Sequence, residues 1–336
     1  MFEEILPNIY KIEVILPQNP LRALNSYVLK GQKRNLIIDT GMNREECLTV
    51  LTKSLQELEV DLANTDFFIT HMHADHSGLI SYFQTKTSNV FCSQIDAEMI
   101  NLMNSDEMWN NMHKFCLING FPEDELYEAI NNHPGFKYRN RANIIFQTLR
   151  EGSSLNVGDY HFKCIETPGH TKGHMCLYEA DKKLLISGDH VLHDITPNLM
   201  LLSDNDNPLA DYLKSLEKVY ELEVKLVLPG HRKIFQRYQE RIRELKKHHQ
   251  VRTNEALQIL GKVPQDAYQI ASQMKWDVRY NSWNQFPPQQ KLFATGEVLA
   301  HLKYLEEKGE VKKDFCAKRM VYQREARSLW EMSFGL

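Results

Sequence analysis

Three histidines and one aspartate lie within a single short segment of the sequence. Residues 70–76 read Thr-His-Met-His-Ala-Asp-His and follow a short apolar stretch. Imidazole nitrogens bind zinc and other borderline first-row ions, and a carboxylate adds a hard oxygen ligand. Alternate residues of an extended segment point to one side, so His71 and His73 can face one ion while Asp75 and His76 turn toward a second. The spacing therefore predicts a metal site.

Three further candidate ligands follow downstream, each after a strand-like stretch and a turn that contains glycine. His170 ends the run Thr-Pro-Gly-His, Asp189 stands in Ser-Gly-Asp-His, and His231 ends Pro-Gly-His. Loops on a rigid scaffold commonly carry binding and catalytic side chains. Each residue alone is a weak signal, but together with the 70–76 segment they predict one composite metal centre.

These motifs, preceded by Asp39, resemble the five motifs of the metallo-β-lactamase-fold hydrolases and follow that family's order. The resemblance covers residues 5–233, apart from residues 95–145. It implies an α/β fold, a four-layer αβ/βα sandwich, with a dinuclear site on one edge. It further implies these roles: His71, His73 and His170 hold one metal, Asp75, His76 and His231 hold the other, Asp189 bridges them, and Asp39 supports the site by hydrogen bonding.

The resemblance also implies a hydrolytic mechanism. Two metals share a hydroxide, formed near neutral pH, that attacks a carbonyl carbon or a phosphorus. Asp75 is the candidate catalytic residue, because it can bind a metal and orient this nucleophile. Two zinc ions are the expected cofactors, and iron or manganese also suit a mixed nitrogen and oxygen ligand set. A bridging aspartate such as Asp189 is the pattern of the family's hydrolases, whereas true β-lactamases lack it.

Three other histidines lie close to these motifs in the sequence. His190 and His193 are candidates for protonating the leaving group, because they are near Asp189, although a loop histidine without a catalytic role is the commoner case. His174 is expected to support the loop that carries His170.

Strand-like and helical patterns alternate in the first part of the chain, which is typical of α/β layering. Residues 95–145 are rich in methionine and aromatic residues and predict an insertion of two or three helices. The segments that read as strands are Ile9–Val14, 25–30, 35–38, 66–70, 143–149, 160–166, 175–178, 184–187 and 225–228, and residues 43–58 read as a helix.

Three parts are predicted along the chain: a catalytic domain at 1–233, a basic linking helix at 234–262 and a winged-helix-like α+β domain at 263–336. Residues 232–253 hold eight basic and two acidic residues with a helical period. In the last part, three helices are expected, at 264–275, from Pro287 onward and at 296–308 with Thr295 as N-cap, followed by strands at 310–313 and 319–323. This arrangement is similar to the lactamase-β-like endoribonucleases and to bacterial hydrolases of unassigned substrate.

Composition excludes several classes of protein. The chain has 336 residues, of which 42% are hydrophobic and 25% charged, so it is neither disordered nor collagen-like. Its net charge of −4 gives no overall argument for binding nucleic acid. It has no apolar run long enough to span a membrane, and its first residues lack the pattern of a secretory signal. The six scattered cysteines form no CxxC pair, so reduced thiols and a cytoplasmic location are expected.

Three functions compete at this level. The first is hydrolysis of a small thioester, ester or lactone, with the 95–145 insertion as a roof over an apolar acyl pocket. The second is cleavage of single-stranded RNA by a metal-dependent endoribonuclease, with phosphates held by the basic stretch. The third is a non-enzymatic winged-helix regulator, which the complete ligand set disfavours. The expected partner is a small molecule, with RNA as the alternative, no membrane, and a possible homodimer.

Overall fold

The computed structural model describes residues 2–261 and 263–325. A seven-stranded sheet runs in the order β1 to β7, and a five-stranded sheet runs in the order β12-β11-β10-β9-β8. The strands of the first sheet are β1 Phe2–Leu6, β2 Ile9–Ile15, β3 Ala23–Leu29, β4 Asn35–Ile38, β5 Thr65–Phe68, β6 Val90–Ser93 and β7 Gln147–Leu149. Those of the second are β8 Ser154–Val157, β9 Tyr160–Glu166, β10 Met175–Glu179, β11 Leu184–Gly188 and β12 Leu226–Pro229.

Helices flank these sheets and make up most of the C-terminal part. In chain order they are α1 Glu45–Glu57, α2 Ala74–Ser77, α3 Ile80–Phe83, α4 Gln94–Leu102, α5 Asp106–Ile118, α6 Glu123–Asn131, α7 Pro134–Lys137, α8 Pro208–Tyr220, α9 Tyr238–Ile259, α10 Ala267–Gln273 and α11 Pro288–Glu307. A ribbon of β13 Val311–Cys316 and β14 Arg319–Arg324 follows. In the described residues, no helix is both long and apolar enough to cross a membrane.

The two large sheets bury one apolar core between them. Tyr27 and Phe68 from the first sheet belong to the same buried cluster as Phe162, Leu177 and Ile186 from the second. Strands β4 to β7 pair in parallel, and this needs crossover connections, which helices α1 and α4 help to supply. The predicted αβ/βα sandwich is confirmed, and its parallel strand ends lie where the 70–76 segment begins.

Two compact units divide the chain. The first takes the chain up to Met108, then Pro134–Pro197 and Asp211–Glu244, and it contains both large sheets. The second takes Trp109–His133, Asn198–Ala210 and the described residues from Leu245 onward. The division falls inside α9, within the segment predicted as a linking helix. It also assigns part of the predicted 95–145 insertion, which has four helices rather than two or three, to the C-terminal unit.

The C-terminal unit differs from the predicted helix pattern at Thr295. One continuous helix, α11, replaces the expected two, so the prediction of an N-cap at Thr295 is wrong. The Thr295 hydroxyl donates to the Lys291 carbonyl one turn earlier, as happens inside helices. Gly296 has a packing role, since a Cβ there would lie 2.9 Å from Cε of Met200. The winged-helix resemblance stays a prediction, and residues 326–336 of that domain lie outside the described residues.

Candidate metal centre

The 70–76 segment leaves the end of β5 in an extended form and then turns into α2. His73 is the N-cap of α2, and its carbonyl accepts the backbone N–H groups of His76 and Ser77. This turn separates the histidines into two positions. Nε2 of His71 and Nδ1 of His73 lie 3.1 Å apart, so both nitrogens face one point as the alternation predicted. The fully buried His71 also stacks on the ring of His174.

Asp39 orients the other histidine of this segment. Its Oδ2 lies 2.7 Å from Nδ1 of His76 and accepts the Thr70 hydroxyl at 2.8 Å, and its Oδ1 accepts the Thr70 N–H at 2.9 Å. A carboxylate can only accept here, so Nδ1 of His76 carries a proton, and the neutral form of the ring would present the lone pair of Nε2 to the centre. Asp39 therefore has the supporting geometry that the resemblance implied. Its φ of +59° lies in the left-handed region that aspartate tolerates.

The remaining candidate ligands come from loops of the second sheet. Nδ1 of His231 lies 2.7 Å from the Ala23 carbonyl, so its Nε2 faces inward as well. Asp189 follows β11, and its N–H donates to Nε2 of His174. Gly230 leaves no room for a side chain, since a Cβ there would lie 2.4 Å from Oδ1 of Asp189. Tight glycine turns at these strand ends let the backbone approach the centre closely.

Asp189 lies between two groups of nitrogen ligands. Its Oδ1 is 3.5 Å from Nε2 of His76, and its Oδ2 is 3.6 Å from Nε2 of His170 and 3.4 Å from Nε2 of His231. Oδ2 of Asp75 is 3.2 Å from Nε2 of His231. Three groups of potential ligand atoms each fall within 4.8 Å, namely His71, His73, His170; His71, His76, Asp189; and Asp75, His76, His231. The structure thus brings all seven sequence-predicted ligands together.

Several inward-facing atoms of this cluster lack a hydrogen bond. Among the described residues, Nε2 of His76, Nε2 of His231 and Oδ1 of Asp189 are buried and make none of acceptable geometry. Burying such groups without partners costs free energy, and convergent nitrogen and oxygen atoms of this kind are what a divalent cation satisfies. The donor set therefore fits a metal centre.

Comparison with known proteins agrees with this geometry. Residues 20–231 match the family model of the Metallo-beta-lactamase superfamily. The chain belongs to this superfamily. It is 26% identical over 298 residues to the probable metallo-hydrolase YqjP of Bacillus subtilis, covering 83% of this chain and 86% of that protein. It is 29% identical over 220 residues to the acyl-coenzyme A thioesterase MBLAC2 of Homo sapiens, covering 62% and 72%.

A solved structure extends the similarity through most of the chain. A metallo-beta-lactamase family protein from Thermus thermophilus superposes with a TM-score of 0.81 at 27% identity, covering 96% of this chain and all of that one. Together with the sequence relatives, this makes the chain a metal-dependent hydrolase of the superfamily.

Four of the candidate-ligand histidines form two pairs, one with lowered and one with raised pKa values. Burial, helped by the neighbouring rings, lowers the pKa of His71 well below its usual range and that of His73 to about 3, so both rings are neutral. Burial acts in the same direction on His76 and His231, but carboxylates outweigh it. Asp39, Asp189 and Asp75 raise the pKa of His76, and Asp189 and Asp75 raise that of His231 to about 10.

The two ligand carboxylates are held in their ionised form. Burial alone would raise their pKa values, yet His76 and His231 lower the pKa of both Asp75 and Asp189 below the ordinary carboxyl range. Ionised carboxylates are the form that binds metal and accepts protons. The two carboxylates therefore offer the negative charge that a bound cation needs.

The other predicted histidines have more varied surroundings. His174 supports the His170 loop as expected, since Nδ1 lies 2.7 Å from the Thr167 hydroxyl, and it also holds the Asp189 backbone. His190 is fully buried, its ring 5.2 Å from that of Tyr212, and burial lowers its pKa to about 3. His193 is 39% exposed and lies beside Asp194. Neither ring is hydrogen-bonded to the ligand set within the described part of the chain.

Three residues that support the site were not singled out from the sequence, namely Thr70, Thr171 and Asp96. Thr70 bonds to Asp39 and lies 3.0 Å from Nδ1 of His71, so it orients that ring. Asp96, at the start of α4, accepts hydrogen bonds from two of the ligand-bearing loops. Burial raises the pKa of Asp96 to about 6, although the hydrogen bonds from Thr171 and from two backbone amides lower it. The motifs themselves could have signalled Thr70, which begins the run, but nothing local marked Asp96.

Proposed function

We propose that this hydrolase binds two divalent ions and cleaves an acyl thioester. His71, His73 and His170 would hold one ion, Asp75, His76 and His231 the other, and Asp189 would bridge them. The observation that carries this proposal is the placement of the Asp189 carboxylate, 3.4 to 3.6 Å from nitrogens of both groups. Zinc is the ion that we expect, and iron or manganese suit the same ligands.

The chain's own residues prepare the site for hydrolysis. Divalent ions at such a centre lower the pKa of water and stabilise the oxyanion that forms on a carbonyl. Asp75, kept ionised by His76 and His231, orients the attacking water and accepts its proton. The water oxygen bonds to the carbonyl carbon, the carbon–sulfur bond breaks, and the products are a carboxylate and a thiol.

The surroundings of the site favour a leaving group that can depart without being protonated. A thiol has a pKa of about 8.5, so it departs as thiolate far more easily than an alcohol departs as alkoxide. His190 is fully buried, and His193 lies beside Asp194. Neither is placed as a proton donor to the ligand cluster. A thioester is therefore a better match than an ester, and the name of the human relative, an acyl-coenzyme A thioesterase, supports the same class.

The basic stretch supports RNA cleavage less than its composition suggested. Arg241 donates to the carbonyls of Leu192 and Ile195, and Arg237 pairs with Glu240. Arg252 is largely buried, pairs with Glu255 and stacks over Trp276. These arginines are engaged within the protein, so fewer charges are available for phosphates. Cleavage of RNA without thioester turnover is the result that would contradict the proposed substrate.

A thiol-release assay tests the proposal. The protein, loaded in turn with zinc, manganese and iron, is incubated with acyl-coenzyme A esters of increasing chain length and a thiol-reactive chromophore. We expect turnover by the wild type and loss of both metal and activity in His73→Ala. Asp75→Asn should lose activity by at least 100-fold, within the range that acid–base groups contribute. Cys316→Ser, which changes an exposed thiol, serves as control and should keep full activity.

Parallel reactions separate the alternatives. Oxygen-ester and lactone analogues of the same acyl groups should react more slowly than the thioesters. Cleavage of a labelled single-stranded RNA by the wild type and not by Asp75→Asn, without thioester turnover, would refute the proposed substrate. Absence of bound metal in the wild type would refute the whole mechanism.

A further inference from the structure

One buried carboxylate outside the ligand set connects two loops of the metal centre. Asp96 is the third residue of α4, which begins directly after β6, and its N–H donates to the Ser93 hydroxyl at 3.2 Å. Its side chain is turned away from the helix. The residue is 1% exposed, so its charge and its hydrogen bonds are both held inside the protein.

Three donors from two separate loops converge on this carboxylate. Oδ2 accepts the N–H of Met72 at 2.9 Å and the hydroxyl of Thr171 at 2.6 Å. Oδ1 accepts the N–H of Gly173 at 2.9 Å. The fit is close, because a Cβ on Gly173 would lie 2.6 Å from Oδ1. Each donor is thus held at a defined distance from one rigid group at the start of a helix.

Two of these donors are next to candidate metal ligands in the sequence. Met72 lies between His71 and His73, and Thr171 follows His170. The first loop leaves the seven-stranded sheet, and the second joins β9 to β10 of the five-stranded sheet. A backbone bond from the Met175 N–H to the Thr70 carbonyl also links them; it lies directly before His71 in the first loop but five residues after His170 in the second.

We propose that Asp96 is a positioning residue that sets the distance between His170 and the pair His71 and His73, and so the affinity of the ion they would hold. The inference rests on the proposed function, in which these three histidines form one ligand group. Outer partners of metal ligands typically contribute 10- to 100-fold in metal affinity. Asp96 contacts two backbone N–H groups and the Thr171 hydroxyl but no ligand ring, which distinguishes it from Asp39.

Asp96→Asn is the direct test, because it keeps the shape but replaces an accepting oxygen with an amide that can only donate. Metal-free protein is titrated with Co²⁺, and the visible absorption reports the geometry of each ion bound. Affinity is measured in competition with a chromophoric chelator. We expect one of two cobalt equivalents to bind about 10- to 100-fold more weakly with an altered spectrum.

Asp66→Asn is the matched control. Asp66, in β5, is also a mostly buried carboxylate that joins two other segments, because it accepts hydrogen bonds from Arg34 and from the Asn89 N–H. Its substitution should lower thermal stability and leave both cobalt affinities unchanged. This separates positioning of ligands from general stabilisation, which both aspartates provide.

Each outcome decides between the hypotheses. If the wild type binds two cobalt ions and a folded Asp96→Asn binds them with unchanged affinity and spectrum, the positioning role is refuted while the proposed function stands. If the wild type binds none, the proposed function fails and this inference fails with it. If Asp96→Asn does not fold, Thr171→Val removes one donor only, and unchanged cobalt affinity in that variant would refute the inference.

Discussion

Replacing Asp39 by asparagine should disable His76 while leaving its place in the fold intact. Asparagine tolerates the left-handed backbone of this position, where φ is +59°. Its carbonyl can still accept the Thr70 N–H. Its amide group, however, would then face the Thr70 hydroxyl and Nδ1 of His76, which both donate to the carboxylate in the wild type. A donor in that place favours the tautomer of His76 with the proton on Nε2, the nitrogen that faces the centre.

The size of the effect follows from the bonds that are weakened. A wrongly protonated ligand should weaken metal binding by about 10- to 100-fold, which is about 1.4 to 2.7 kcal/mol. Independently, two hydrogen bonds to a buried carboxylate are replaced by hydrogen bonds from a neutral amide, and each replacement costs about 1 kcal/mol. The free energy of unfolding of the metal-free variant should therefore be about 2 kcal/mol lower than that of the wild type.

Three measurements check this reasoning. Zinc affinity is obtained by chelator competition, the stability of metal-free protein by urea unfolding, and the tautomer of His76 from the ¹⁵N chemical shifts of its ring. Asp61→Asn changes an exposed aspartate that caps a short helical turn and should alter none of the three. If Asp39→Asn binds zinc as tightly as the wild type and keeps the Nδ1 proton, the carboxylate does not determine how His76 binds.

Removing metal with a chelator should lower the melting temperature, because ions that bind only the folded state stabilise it; identical melting curves would contradict the metal centre. Gly169→Ala should cost about 2 kcal/mol or more of unfolding free energy, since φ is +145° and the new Cβ would lie 2.5 Å from that of Tyr212; unchanged stability in chemical denaturation would refute this packing argument. His301 is buried beside His249, Arg252 and Glu255, and burial lowers its pKa to about 4. In the unfolded chain this histidine takes up a proton near pH 6.5. The free energy of unfolding therefore keeps this contribution above pH 6.5 and loses about 3 kcal/mol as the pH falls toward 4. His301→Asn should remove that part of the acid sensitivity, which urea unfolding at both pH values measures.

The sandwich and its candidate ligands could be predicted from the sequence because each depends on local patterns. Strand β4 ends in an apolar run that is followed by Asp39, and the apolar run 67–69 at the end of β5 is followed by Thr70. Gly169, Gly188 and Gly230 precede their ligands, and each meets other side chains or backbone closely enough to exclude a Cβ. Metal-ligand residue types at the ends of such strands are rare by chance, so the seven candidate ligands that the structure brings together could be proposed from the sequence.

The strands and helix ends that were missed depend on contacts far along the chain. Two of the three missed strands in the large sheets, β1 and β8, are edge strands of five and four residues, and they exist because β2 and β9 offer partners; the third, β6, pairs between β5 and β7. Thr295 has the composition of a helix N-cap, but packing around Gly296 and Met200 continues the helix through it. Tertiary packing overrides local preference at such positions.

Asp96 shows the same limit where it matters for chemistry. The residues Ser93 and Asp96 have the spacing of an N-terminal capping pair, in which the acid would reach back to the backbone N–H of the cap. The serine does cap α4, but the aspartate instead accepts from Met72, Thr171 and Gly173, which lie 24 to 77 positions away. The capping spacing accounts for an acidic residue at this position, but it does not indicate the hydrogen bonds that Asp96 makes to the two loops. Residues that bind a cation are recognisable by type, whereas residues that fix the distance between ligands are ordinary in type and become visible only through the loops they join.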